Sequence, residues 1–172
     1  MASSDIDFIS EMLADPEVMR FYPKRYNREE SRVWIERQLE RYRADGHGLW
    51  IVIEKESESP VGQVGLMRQR VDGADESEIG YLIHRPYWRR GLATEAALGV
   101  RSYAWDALGR DRLISLVRAV NVPSRGVAVK LGMRPERESQ FHGLPHLVFS
   151  VTKESAQAAA GDLGSLDAVN RS

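Results

Sequence analysis

The sequence predicts an α+β fold, a single domain in which a mixed, mostly antiparallel sheet is flanked by helices. The chain has 172 residues, which fits one domain of ordinary size. Helical patterns open the chain and are followed by three short strand-like runs at hairpin spacing. From residue 92 onward, helix and strand patterns alternate, which indicates that the sheet is not purely antiparallel.

Each element has a local sequence signal. Residues 8–13 predict a short helix, and Asn27 with Glu30 forms a capping-box pattern that begins a second helix, reaching about Arg43 before Gly46. The three following strands are expected to be antiparallel neighbours. The predicted elements after the second helix are strands 49–53, 61–70 and 78–83, helix 92–108, strand 113–117, helix 123–131, strands 133–138 and 147–151 with a loop at 139–146, and a flexible tail at 154–172, which leaves residues 1–153 as the domain.

Composition excludes several classes of protein. The chain has no cysteine, so disulfides, thiolate nucleophiles and cysteine zinc sites are ruled out. A net charge of -1, from 24 basic and 25 acidic residues, gives no basis for nucleic-acid binding through overall charge. No apolar run approaches the roughly 20 residues of a membrane span, and residues 1–10 do not resemble a secretory signal. We therefore expect a cytoplasmic protein, with no membrane or nucleic-acid partner and no metal, because the four histidines lack ligand spacing.

The strongest chemical signal is the segment between the third strand and the helix at residue 92. Residues 85–90 hold three arginines and no acid, and a helix start presents unpaired N–H groups with partial positive charge. Such a position binds anions, phosphate above all, and Gly91 would allow an oxygen to approach the backbone closely. It is not a P-loop, because no Lys-Ser or Lys-Thr pair follows the glycine. From these residues alone, a solvated turn remains equally compatible.

Three motifs in order resemble the GNAT family of N-acetyltransferases, closest to its branch of ribosomal-protein alanine N-acetyltransferases. They are IGYLI at 79–83 with YWRRGLATEA at 87–96, NVPS at 121–124 with KLGM at 130–133, and DPEVMR at 15–20, and the similarity covers about residues 8–152. Two departures stand out. No strand precedes the first helix, which leaves two alternatives: the sequence starts late, or the usual first strand is missing. Arg89 stands where the branch often has glycine.

The resemblance implies acetyl-CoA as co-substrate. Backbone groups of Leu82, Ile83 and His84 would line the pantetheine arm, and Asn121 would hydrogen-bond to it. The amides that would hold the pyrophosphate belong to Arg89, Arg90, Gly91, Leu92, Ala93 and Thr94. The acceptor would be a primary amine, either a protein N-terminus or a small molecule, and the oligomeric state stays open, a homodimer included.

Two residues are candidates for catalysis. Glu78 is the preferred general base, on the position where several relatives carry a glutamate, and strand alternation puts it on one face with Gly80 and Leu82. Its alternative is a solvated carboxylate. Ser124 is expected beside the coenzyme A thiol, although it could simply cap its helix. Without a cysteine or an evident nucleophile–base pair, direct transfer in a ternary complex is favoured. The rival interpretation is a non-catalytic acetyl-CoA sensor or docking module.

Overall fold

The computed structural model describes residues 1–159, and its elements follow the predicted order. The chain begins with a short 3-10 turn at Ser3–Asp5, and a second one, Arg85–Tyr87, lies between β3 and α3. The helices and strands are α1 (Ile6–Ala14), α2 (Arg28–Asp45), β1 (Leu49–Ile53), β2 (Pro60–Val71), β3 (Ala74–Ile83), α3 (Leu92–Asp106), β4 (Arg112–Val117), α4 (Val122–Lys130), β5 (Arg134–Phe141) and β6 (Leu144–Thr152).

The strands form one six-stranded sheet in the order β1-β2-β3-β4-β6-β5. Only the β3–β4 pair is parallel, and every other neighbouring pair is antiparallel. The predicted α+β class with a mixed, mostly antiparallel sheet is therefore confirmed, and so are the three antiparallel neighbours β1, β2 and β3. Within residues 1–159 no strand precedes α1, as expected from the sequence.

The second helix shows how closely local chemistry sets the element boundaries. The Glu30 amide donates to Asn27 Oδ1, and the Asn27 amide donates to Glu30 Oε2, each at 2.9 Å. Both halves of the capping box are thus present, which satisfies two amides that a helix start leaves without partners. The helix ends at Gly46, whose φ of 76° is the left-handed conformation typical of glycine after a helix.

The two faces of the sheet carry separate cores. One face packs against α3 and α4, and its buried side chains include Ile79 of β3 and Phe149 of β6. The other face packs against α1 and α2, whose cluster includes Ile9 and Ile35 and is contacted by Leu82 of β3. Odd-numbered β3 side chains therefore face α3, whereas Glu78, Gly80 and Leu82 share the α2 side.

The long β2–β3 hairpin reaches across to β5 at its turn. Asp72 and Gly73 form the turn, and Asp72 accepts hydrogen bonds from Arg137 Nε at 3.1 Å and Ser139 Oγ at 2.7 Å. Glu76 forms an ion pair with Arg112 at 3.1 Å. Glu76 lies in β3, and its carboxylate is engaged in this contact. These polar contacts fasten the hairpin turn to the opposite edge of the sheet.

The last hairpin is where the sequence prediction was wrong. Residues 139–146 were expected to be a loop, but β5 extends to Phe141 and β6 begins at Leu144. His142 and Gly143, with φ of 49° and 73°, make the whole connection, which is the geometry of a tight two-residue hairpin turn. Residues 153–159 are helical, and Ala156 packs against the core shared with α3. Residues 154–159 of the expected tail are therefore helical, and 160–172 lies outside the described residues.

Candidate active site

The central feature of the site is the separation of β3 from β4. Their parallel pairing is registered at Glu78 and Ile114 alone, and the strands part beyond that point. Side chains bridge the gap instead, because Ser115 Oγ donates to the Ile79 carbonyl at 2.8 Å. A gap between two strands leaves backbone groups without ladder partners, so an extended ligand can lie there.

Glu78 occupies the closed end of this gap. Its residue exposure is 8%, so the alternative of a solvated carboxylate does not hold. Gln69 Nε2 donates to Glu78 Oε2 at 2.8 Å. Burial raises the pKa of the Glu78 carboxyl above its ordinary value, against smaller opposing effects of Gln69, the Leu116 amide and the charge of Arg41. A carboxyl with a raised pKa is suited to exchange protons near neutral pH.

Ser124 lies opposite β3, at the start of α4. Its Oγ donates to Tyr81 Oη at 3.2 Å, and Tyr81 Oη donates to the Ser124 carbonyl at 2.9 Å. The helix cap is Asn121, whose Oδ1 accepts from the Ser124 amide at 3.2 Å, so Ser124 does not have the capping role. Burial is the main cause that raises the pKa of Tyr81 to about 12, so its hydroxyl stays neutral at physiological pH.

The loop after β3 has the features of an anion site. Gly91 caps α3 with a φ of 82°, and the first backbone hydrogen bond runs from the Glu95 amide to the Gly91 carbonyl at 3.0 Å. The amides of residues 89–94 make no hydrogen bond to the part of the chain that the structure describes. Arg89 has a φ of 61°, so it also adopts the left-handed conformation. Left-handed residues among such N–H groups are typical of backbone concavities that bind anions.

The arginines of the loop differ in their surroundings. Arg90 forms an ion pair with Glu54, on the turn after β1, and its guanidinium lies 5.7 Å from the centre of the Tyr87 ring. Arg89 is exposed and makes no ion pair or hydrogen bond among residues 1–159. In the free chain, therefore, Arg90 already has an anionic partner, which a phosphate would have to replace.

Backbone directions at the end of β3 distinguish the predicted cofactor contacts. The His84 amide donates to the Val61 carbonyl at 2.9 Å, and alternate residues of an antiparallel ladder face the same neighbour. The backbone groups of Leu82 and His84 are thus turned toward β2, and those of Ile83 toward the gap. The Ile83 carbonyl accepts from Trp88 Nε1 at 2.6 Å, so Trp88 braces the loop. The ladder geometry therefore favours a backbone contact between Ile83 and a ligand in the gap. It does not favour the predicted contacts of Leu82 and His84, whose backbone groups face β2.

Sequence reasoning missed several residues of this site. Gln69 and Tyr81 hold the two predicted catalytic residues. Tyr22, between α1 and α2, is 37% exposed as a residue, but desolvation of its hydroxyl and then the charge of Glu78 raise its pKa, so it lies close to Glu78. The spacing of Gln69 could have been found by pairing the strands of the β2–β3 hairpin. Tyr22 comes from a segment without periodicity, so no local pattern marks it.

Neither metal binding nor membrane crossing is indicated among residues 1–159. No group of three or more His, Cys, Asp or Glu side chains in this part of the chain could hold a metal ion. No helix there is both long and apolar enough to cross a membrane.

The gap between parallel strands and the free amides at the α3 start are accompanied by a family match. The family described as acetyltransferase (GNAT) domain matches residues 1–134. The chain belongs to the GNAT acetyltransferase family. Its family thus makes it an N-acetyltransferase, and GNAT acetyltransferases use acetyl-CoA and act on amines.

Individual relatives agree with this family. The chain is 30% identical over 135 residues to the uncharacterized protein YkkB of Bacillus subtilis, with 78% of each chain covered. A putative ribosomal-protein-serine acetyltransferase of Vibrio cholerae has a similar fold, with a TM-score of 0.75, 19% identity, and 88% and 90% of the two chains covered. An aminoglycoside acetyltransferase in complex with coenzyme A gives a TM-score of 0.75 at 11% identity, covering 92% and 95%.

Proposed function

We propose that this N-acetyltransferase transfers the acetyl group of acetyl-CoA directly to a primary amine, within a ternary complex. The observation that carries the proposal is the position of Glu78. It is a buried carboxyl at the closed end of the β3–β4 gap, and the other end of that gap leads to the free amides of residues 89–94. An acid–base group and a candidate anion site thus lie toward opposite ends of one gap in the sheet.

The residues present fit an anionic carrier at this position. The amides of residues 89–94 and the guanidinium of Arg90 supply donors for the pyrophosphate, which is the charge that a helix start stabilises. Asn121 uses Oδ1 for the helix cap, and its Nδ2 makes no hydrogen bond among residues 1–159, so that nitrogen is available to the pantetheine arm. When bound, acetyl-CoA supplies an activated thioester, and the remaining chemistry falls to the protein.

The amine must lose a proton for the transfer to occur. At pH 7 roughly one α-amine in ten is neutral, against fewer than about one lysine side chain in a thousand. We assign the proton to Glu78, directly or through a water molecule, because burial already raises its pKa. The neutral amine nitrogen then forms a bond to the thioester carbonyl carbon, the carbon–sulfur bond breaks, and the proton that the nitrogen sheds passes to the departing sulfur, so that coenzyme A leaves as the thiol.

Ser124 is assigned the hydrogen bond to the departing sulfur. Its hydroxyl lies on the far side of the gap from Glu78, at the start of α4, where Tyr81 holds both its Oγ and its carbonyl. Nothing in the chain offers a cysteine nucleophile for an acetyl-enzyme, so transfer in one step is the simpler mechanism.

Two kinds of acceptor are supported by similar folds. One similar structure is described as a putative ribosomal-protein-serine acetyltransferase and another as an aminoglycoside acetyltransferase, so a protein acceptor and a small-molecule amine are both compatible with this scaffold. The choice between these acceptor classes therefore depends on the residues around Glu78.

The test combines an acceptor screen with one isosteric substitution. Small amines and N-terminal peptides are incubated with acetyl-CoA, and Glu78→Gln is compared with the wild type on any acceptor found. Loss of a general base should lower kcat by about 10²- to 10⁴-fold, while calorimetry shows unchanged coenzyme A binding. Glu40→Gln, an exposed position on α2, is the matched control and should behave as the wild type.

Two outcomes would contradict the proposal. Wild-type turnover in Glu78→Gln would remove Glu78 from the chemistry. Tight binding of acetyl-CoA without acetylation of any amine or peptide would favour the non-catalytic sensor instead.

A further inference from the structure

Arg41 of α2 has a buried donor that has no hydrogen-bond partner among residues 1–159. Three buried side-chain atoms lack a hydrogen-bond partner among residues 1–159, and they are Arg41 Nη1, Arg101 Nε and Trp105 Nε1. Arg101 and Trp105 stack on each other in α3, with 4.7 Å between the guanidinium carbon and the ring centre. Arg41 is different, because it lies on the α2 side of the sheet, the face that carries Glu78.

The position of Arg41 follows from the contacts of its helix. Trp34, seven residues earlier and thus on the same side of α2, donates from Nε1 to Gln63 Oε1 of β2 at 3.0 Å. Further along α2, Asp45 forms an ion pair with Arg68 of β2 at 3.6 Å. The helix therefore runs beside β2 in the same direction, which puts Arg41 near the level of residue 67.

That level is also the level of Glu78. Met67 pairs directly with Glu78 across the β2–β3 ladder. The charge of Arg41 acts on Glu78, where it opposes the rise in the pKa of the carboxyl. No ion pair within 4.0 Å joins Arg41 to an acid in the described chain, so the guanidinium is near Glu78 without being neutralised by it.

An unpartnered N–H of this kind is costly in a folded protein. Burying a polar donor without a hydrogen bond forfeits its hydration, and the penalty is larger for a charged group. A ligand oxygen that accepts a hydrogen bond from Nη1 recovers this loss. Binding is therefore more favourable for a molecule that places an acceptor atom there. Since the proposed base Glu78 lies on the same face of the sheet and at the same level, the molecule concerned is the amine substrate.

We propose that Arg41 binds a carbonyl or carboxylate oxygen on the carbon next to the reacting amine, so that the acceptor is an α-amino carbonyl compound. This inference rests on the proposed function, and it names the acceptor class that function leaves open. A peptide N-terminus and a free amino acid both carry this group. A simple alkylamine and a polyamine do not, and they would leave Nη1 unsatisfied.

The experiment uses three matched probes with the full chain and coenzyme A. Phenylalaninamide carries the carbonyl as a peptide does, phenylalanine carries a carboxylate, and phenethylamine has neither. Calorimetric Kd values are compared between the wild type and Arg41→Met, which keeps an unbranched side chain and removes the guanidinium. Loss of a charge-assisted hydrogen bond should weaken binding of the preferred oxygen-bearing probe by about 10- to 100-fold and leave phenethylamine unchanged. The oxygen-bearing probe that loses more affinity identifies the peptide-like or the amino-acid source.

Controls separate this role from an effect on Glu78 or on folding. A change in the protonation of Glu78 would alter all three probes alike, so only a selective loss supports Arg41 as a binding residue. The exposed Arg37→Met should change nothing. Because Arg41 Nη1 makes no hydrogen bond, Arg41→Met should keep or raise the melting temperature, and a fall of many degrees would assign Arg41 to the fold and overturn the proposal.

The two proposals fail in different ways. The role of Arg41 is overturned if the wild type binds phenethylamine as tightly as both oxygen-bearing probes, or if neither oxygen-bearing probe binds measurably at millimolar concentration. Selective, Arg41-dependent binding without any acetyl transfer leaves the Arg41 inference standing and removes the transfer mechanism.

Discussion

Replacing Arg89 with glycine should make the protein more stable, although the substitution removes a charged side chain from the proposed cofactor loop. Arg89 has a φ of 61°, a region in which a β-carbon crowds the following carbonyl oxygen. Its side chain is exposed and makes no ion pair or hydrogen bond among residues 1–159, so little is lost with it. Glycine adopts the same conformation without that crowding.

The size of the effect follows from two opposing terms. The left-handed conformation costs a residue with a β-carbon roughly 1–2 kcal/mol. Glycine returns part of this, because it gives the unfolded chain more freedom, at about 0.4–1 kcal/mol. The net gain is therefore about 1 kcal/mol, or roughly 2–4 °C in melting temperature for a chain of this size.

Arg89→Ala is the matched control, because it removes the same charge and keeps the β-carbon. Thermal and urea unfolding of the wild type and both variants give the comparison, with Arg89→Gly expected to be more stable than Arg89→Ala by about 1 kcal/mol. Equal stability of the two variants would show that Arg89 does not hold the left-handed conformation, and the reasoning about this loop would then be refuted.

The other predictions concern ion pairs. Arg90→Ala should weaken coenzyme A binding by about 1–3 kcal/mol, because it removes a charged donor to the phosphates. Glu54→Gln should strengthen binding, because Glu54 forms an ion pair with Arg90 in the free chain. Calorimetry measures both effects. Unchanged binding in both would place the phosphates elsewhere. A hydrogen bond from Ser150, and then one from Arg112, lowers the pKa of the Glu136 carboxyl to about 2. The stability that this carboxylate gives the folded protein is therefore fully present above its unfolded-state pKa and is lost as the pH falls toward 2. Because Glu136 is about one-third exposed, Glu136→Gln should lose no more than about 1 kcal/mol at pH 7, and unfolding curves should converge with the wild type near pH 2; a gap that persists there would contradict this.

Local sequence patterns predicted most of the fold, because most helices and strands are partly buried and therefore carry an apolar pattern or a cap. The capping box at Asn27 and the β-branched run at residues 49–53 gave both type and boundary. The signal fails at the end of β5, which was predicted as strand 133–138 but extends to Phe141, because RPERESQF is almost entirely polar and lies at an exposed edge. An edge strand needs no apolar alternation, so neither periodicity nor propensity marks where it ends, and a loop at 139–146 was predicted in place of the tight turn at His142 and Gly143.

The candidate site was predictable only where one segment carries it. The run from Arg89 to Thr94 is contiguous, so a helix start with free amides follows from the sequence. The roles of Tyr81 and Arg41 depend on residues that are distant in the sequence. Tyr81 contacts Ser124 at the start of α4, and Arg41 lies at the level of Glu78. Such contacts depend on strand register and helix direction, which local patterns do not encode.

The fastening of the β2–β3 turn to β5 has a mechanical consequence for the site. Asp72 and Glu76 hold the far end of β3 against the opposite edge of the sheet, and the pairing of Glu78 with Ile114 closes the same end of the gap. If β3 and β4 separate, we therefore expect the separation to occur at the end near Ile83, because the two strands stay paired at Glu78. The end that holds Glu78 keeps its dimensions, while the end near Ile83 is free to open and admit a long, thin molecule.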